Sequence, residues 1–178
     1  MKRFLSGLRK KATKTAIKDD DRFGTGLWRH NRDRFIRAVD RYYTTAVALH
    51  EARDSDGSAT SGAASAKDPV DVIVDGTHRL NALVEVVDDL TATLHTRFPV
   101  TGQVVPGPAR QAVGDAPELL TKASSKVGEA VLAASMARSD GQSGRSIDSN
   151  AEATVRFITD AEELLGRARE ILARVEEP

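Results

Sequence analysis

The sequence predicts an all-α protein: an elongated antiparallel bundle of about four long helices, preceded by a short basic amphipathic helix. Three observations carry that expectation. Apolar residues recur at steps of three, four and seven through four long segments, which places them on one face of each helix. Stretches rich in Gly, Pro, Ser and Asp separate the segments and supply the expected breakers. Aromatics make up only 4% of the chain, so the apolar content is mostly Ala, Val and Leu, which suits helix packing better than aromatic strands. With 178 residues, 40% apolar and 29% charged, the chain has the size and composition of one core. Those values exclude a large multidomain enzyme and a wholly disordered chain.

The first long segment, residues 27 to 53, places Trp28, Phe35, Val39, Tyr42, Ala46 and Leu49 on a common face. Residues 54–67 (DSDGSATSGAASAK) lack periodicity and read as a flexible loop. Asp68 then caps a second helix with Pro69 at its first position. Ile73, Thr77, Leu80, Val84, Val87, Thr91, Leu94 and Phe98 form a heptad seam, with Leu83 and Leu90 beside it, and Pro99 stops the run. Residues 99–115 contain three prolines and three glycines and read as a long connection. Asp115 and Pro117 open a third helix to about Arg138, with Leu120, Ala123, Val127, Ala130 and Ala134 inward. Residues 139–148 read as a second mobile loop. Ser149 and Glu152 have the spacing of a capping box. From there Ala151, Thr154, Ile158, Ala161, Leu165, Ala168, Leu172 and Val175 run to the end, beside a second stripe of Phe157, Leu164 and Ile171. Faces this wide predict apolar surface left over for a second subunit, hence a homodimer.

Charge divides the chain into two parts. The formal net charge is zero, yet residues 1–53 carry +8 and residues 54–178 carry −8. Residues 1–21 form the first organisational unit and residues 22–178 the bundle. Projected at 100° per residue, Phe4, Leu5 and Leu8 fall with Met1, Ala12, Thr15 and Ala16 inside an arc of about 120°. Lys2, Arg3, Arg9, Lys10, Lys11, Lys14 and Lys18 lie outside that arc, and no acid precedes Asp19. Asp19, Asp20 and Asp21, followed by Gly24 and Gly26, end this helix and make a joint.

A basic helix with bulky apolar residues at one end has the composition of an interfacial membrane helix. In that reading Phe4, Leu5 and Leu8 insert, and the seven cations meet anionic lipid. Arg34, Arg37 and Arg41 lie within about 60° of one another on the next helix and are a candidate basic extension. The competing local reading pairs Asp33 and Asp40 with Arg37 in helical salt bridges. The same cations suit a nucleic-acid backbone, and the apolar face suits docking on the bundle or on a partner protein.

Catalytic and metal-binding patterns are missing. There is no cysteine, which excludes thiolate metal sites, disulfides and cysteine nucleophiles. No two of His30, His50, His78 and His95 have the spacing of a helical metal pair. Asp88 and Asp89 are adjacent on a helix and diverge, so they make a poor acid and base pair. The FGTG at Phe23 to Gly26 has no preceding strand and is not a dinucleotide loop. The expectations are no enzyme activity, no cofactor and no small-molecule substrate.

A basic amphipathic helix leading into long helices resembles, in the order of its elements, phage-shock protein A and amphipathic-helix-bearing BAR domains. The helices here are shorter than those families' coiled-coil arms. That resemblance implies a membrane-organising or remodelling scaffold. The expected protein is a non-enzymatic, cytoplasmic peripheral membrane protein on the inner face of the membrane. The alternatives are a nucleic-acid-binding helical protein and an adaptor bundle.

Overall fold

The computed structural model describes residues 18–55 and 67–175. Within them the chain is helical, with no strand. Residues 18–23 form a helical segment, followed by α1 (Leu27–Ser55), α2 (Pro69–Arg97), α3 (Gly107–Val113), α4 (Ala116–Gln142) and α5 (Asp148–Arg174). The four long helices run 27 to 29 residues, about 40 Å each at 1.5 Å per residue.

Those four helices pack as a ring in the order α1, α2, α5, α4. Within each sequential pair they run antiparallel. Trp28 Nε1, at the start of α1, donates to Phe98 O beyond the end of α2 at 2.8 Å, while Arg53 near the other end of α1 meets Asp71 at 2.7 Å. Likewise Lys126 of α4 meets Asp160 of α5 at 3.2 Å, and Gly141 lies against Ile147.

Between the pairs the neighbours run parallel, which corrects the expectation of a wholly antiparallel bundle. Arg34 of α1 reaches Ser125 of α4, and further along both helices Leu49 and Ala52 adjoin Arg138 and Gln142. In α2 and α5, Val72 adjoins Ala151, Arg79 binds Glu162, and Leu90 adjoins Leu172. The cause is the connection from Phe98 to Asp115, which is long enough to cross the bundle diagonally from α2 to α4, where a short loop would have left them adjacent.

The apolar seams read from the sequence meet in one core. Trp28, Phe35, Tyr42, Ile73, Leu80, Leu94, Leu120, Val127, Ile158 and Leu165 are all buried. Small residues let helices approach closely. Ala123, Ala130, Ala134 and Ala137 of α4 are buried, as are Ala161 and Ala168 of α5, and these helices share the most extensive contact in the fold. At Gly76 of α2 the missing side chain admits Tyr42, whose hydroxyl donates to Ile73 O at 2.7 Å. Burial pushes the Tyr42 phenol well above its usual range, and the charge of Arg79 only partly offsets that.

Several boundaries differ from expectation. Asp68 caps α2 as predicted, accepting from Val70 N at 2.8 Å. Asp115, by contrast, makes no side-chain cap bond. α4 continues to Gln142, so the first part of the expected 139–148 loop is helical. α5 begins at Asp148 behind Ile147, so Ser149 lies inside the helix and no capping box forms there. Ser146 serves that end instead, taking the Asp148 N–H at 3.3 Å. The 99–115 connection contains α3 and buries Val100 and Val113. Residues 56–66 of the first expected loop lie outside the described residues.

The apolar stripes that argued for a dimer are largely used within the chain. Leu83 and Leu90 are buried, and Phe157, Leu164 and Ile171 pack partly buried against the core. Among the described residues the exposed large apolar side chains are Tyr43, Val104, Leu132 and Met136. No described helix is long and apolar enough to cross a membrane.

Candidate membrane-binding surface

Phe4, Leu5 and Leu8, with Lys2, Arg3, Arg9, Lys10, Lys11 and Lys14, lie outside the described residues. Lys18 is exposed on the helical segment 18–23, which joins the N-terminal stretch to the bundle. This joint is a well-packed mount. Phe23 is 1% exposed, with the Arg32 guanidinium 3.9 Å and that of Arg22 4.9 Å from its ring centre. Arg32 also binds Asp88 at 2.6 Å, and Arg22 lies 3.5 Å from Asp89. Arg29 gathers Asp20 at 3.1 Å, Asp33 at 2.9 Å and Asp19 at 3.7 Å.

Magnitudes rank these contacts. Burying Phe23 stabilises by roughly 1.5–3 kcal/mol and each cation–π contact by about 0.5–2 kcal/mol, whereas exposed ion pairs give about 0–1 kcal/mol. The aromatic ring therefore anchors the joint, and the ion pairs orient it. Sequence reasoning read Phe23 only as part of a glycine-rich turn. Its signal was a lone aromatic flanked by Arg22 and the glycines.

Two glycines are required here. Gly24 closes the helical segment at φ +71°, its N–H bonding Asp20 O at 2.9 Å, and a Cβ there would sit 2.6 Å from His95 Nδ1. That nitrogen is buried and has no hydrogen-bond partner among the described residues. Gly26 lies directly against Val100 O, where no side chain fits. Beside it, Leu27 N donates to Gly102 O at 2.9 Å. The chain thus enters the bundle in a set direction, at the end where α2 stops and α4 begins.

The α1 arginines fall into two groups. Of the six in α1, Arg29, Arg32 and Arg53 are paired with carboxylates. Arg34, Arg37 and Arg41 are exposed, and Arg34 makes only a 3.4 Å contact with Ser125. Asp33 turns to Arg29 and Arg32 rather than to Arg37, because those partners are themselves held by the joint. Arg37 and Arg41 have no ion-pair partner among the described residues. Asp88, considered from sequence as half of a poor catalytic pair, is an ion-pair partner of Arg32 and Arg22. Among the described residues no three His, Asp or Glu side chains converge as metal ligands.

Comparison of the chain with protein-family models, with curated proteins and with solved structures returns no match.

Proposed function

We propose that the protein is a non-enzymatic peripheral membrane protein that binds anionic lipid through its N-terminal segment. The observation that carries this reading is the sequence pattern of residues 1–18: projected at 100° per residue, Phe4, Leu5 and Leu8 fall on one face and all seven cations fall off it. Burial of the three apolar side chains supplies roughly 1.5–3 kcal/mol each, and each cation near an anionic leaflet up to about 1 kcal/mol. Ordering the segment costs about 1–2 kcal/mol per residue, partly offset by hydrogen bonding at the interface. Binding by one copy is consequently weak and reversible. Two copies on a homodimer gain by effective concentration, which is how a membrane-organising scaffold is built from a weak anchor. In this reading the protein works from the cytoplasm at the inner face of the membrane.

A nucleic-acid role is the second reading, favoured by the unpaired Arg37 and Arg41. A plain phosphate-binding tail has no use for Phe4, Leu5 and Leu8 on one face, and that decides between them. The test is co-sedimentation with anionic and neutral vesicles beside a duplex-DNA gel shift at the same salt. Leu5→Asp with Leu8→Asp is expected to abolish vesicle binding while leaving thermal unfolding unchanged. Binding to DNA without binding to vesicles would overturn the proposal, and a large fall in melting temperature would place the segment in the core.

A further inference from the structure

We infer that the bundle itself lies on the anionic bilayer along the face made by α1 and α4, with Leu132 and Met136 as a second insertion point. This rests on the proposed membrane function and adds the surface and its orientation. The parallel packing of α1 and α4 sets the register, because Arg34 contacts Ser125. Seven residues on in each helix, Arg41 stands level with Leu132 across the seam.

The α1 arginines point about 130° away from the buried Trp28, Phe35 and Tyr42 face, along the outward side next to α4. On α4 the outward residues between Ser125 and Met136 are small or apolar, apart from Lys126 and Glu129, which pair with each other at 3.0 Å. Leu132 is 62% exposed and Met136 51%, one turn apart. Three guanidiniums without carboxylate partners among the described residues therefore stand beside an exposed aliphatic pair. Guanidiniums meet lipid phosphates while neighbouring aliphatic side chains enter the acyl boundary, the same division of labour as in an interfacial helix. The occupant is an anionic lipid surface, because the cations are unneutralised and a protein partner's apolar patch would leave them unpaired and desolvated.

The chain has no cysteine, so single-cysteine variants report one position each. An environment-sensitive fluorophore is attached at Leu132→Cys, Met136→Cys, Ala12→Cys and, on the opposite face, the exposed Glu163→Cys. The full-length protein is then mixed with vesicles of equimolar phosphatidylglycerol and phosphatidylcholine. Blue-shifted emission, shielded from an aqueous quencher, is expected at 132, 136 and 12 but not at 163. Arg34→Glu with Arg37→Glu and Arg41→Glu is expected to weaken vesicle binding at least about tenfold at low salt with unchanged helicity.

A shift at 12 with none at 132 and 136 overturns the face and leaves the N-terminal anchor standing. No vesicle binding by any variant overturns both. A shift at 132 without vesicles, accompanied by a dimeric mass in light scattering, assigns the face to a second copy and overturns the inference. So does a triple variant that loses duplex DNA but keeps vesicles.

Discussion

Replacing Gly76 by Ala tests whether the α1–α2 seam is held by close approach or by helix propensity. On propensity alone the change stabilises a helix interior by about 1 kcal/mol. The structure reverses the sign. An added Cβ would overlap the Tyr42 hydroxyl, stand 2.8 Å from Ile158 Cδ1 and reach within 3.0 Å of Tyr42 Cζ. Tyr42 is fully buried, so the ring has nowhere to swing without opening the seam. Overpacking of this kind costs about 1–3 kcal/mol, and losing the Tyr42 bond to Ile73 O in a buried site costs a further 1–3 kcal/mol or so. Set against the propensity gain, the net loss is about 1–5 kcal/mol, a fall of roughly 2–20 °C in Tm for a chain of this length. The control is Gly166→Ala on α5, which is exposed and meets nothing within 4 Å. It should raise stability by about 0.5–1 kcal/mol. Urea and thermal unfolding by circular dichroism measure both variants, and Gly76→Ala with Tyr42→Phe should cost less than the sum of the singles because the clashing hydroxyl is gone. If Gly76→Ala stabilises the protein as Gly166→Ala does, the close-approach argument is wrong.

Two further outcomes follow from the same packing. The raised phenol of Tyr42 means that the folded state holds its proton more tightly than the unfolded chain, so stability present below the ordinary phenol value of about 10 falls as pH rises past it. Unfolding in urea between about pH 8 and 11 should show that decline, and Tyr42→Phe should flatten it; an unchanged slope in the variant would assign the decline elsewhere. Gly24→Ala, strained by its positive φ and by contact with His95, should destabilise the joint by about 1–3 kcal/mol and speed proteolysis on the N-terminal side of Phe23. Cleavage no faster than in the parent protein would show that the mount tolerates a Cβ.

Helix identity and inward faces were legible because both depend on local spacing. Trp28, Ile73, Val127 and Ile158 are buried as the three-and-four steps required. Ends were less legible. Ser149 and Glu152 satisfy the capping-box spacing, yet Asp148 already lies in the helix, because a cap is chosen by how the preceding turn packs and not by residue type alone. The role of Arg37 shows the same limit. Asp33 has the correct spacing for it, but Arg29 and Arg32, anchored by Asp19, Asp20 and Asp88, take that carboxylate instead. A pairing rule that sees one helix has no knowledge of competitors from another segment.

Periodicity along the chain was sufficient for the all-helical class, the four long helices, their apolar seams and the charge division between the two ends, since each is a property of neighbours in sequence. The parallel stacking of the two hairpins, the burial of Phe23, the closeness of Gly76 to Tyr42 and the contact of Arg34 with Ser125 came from packing. These depend on which faces meet across distances of tens of residues, and the apolar seams alone would have been buried equally well by the other ring order. The choice between them lies in the length of the 98–115 connection and in small residues such as Gly26 and Gly76, whose effect appears only when another segment is brought against them.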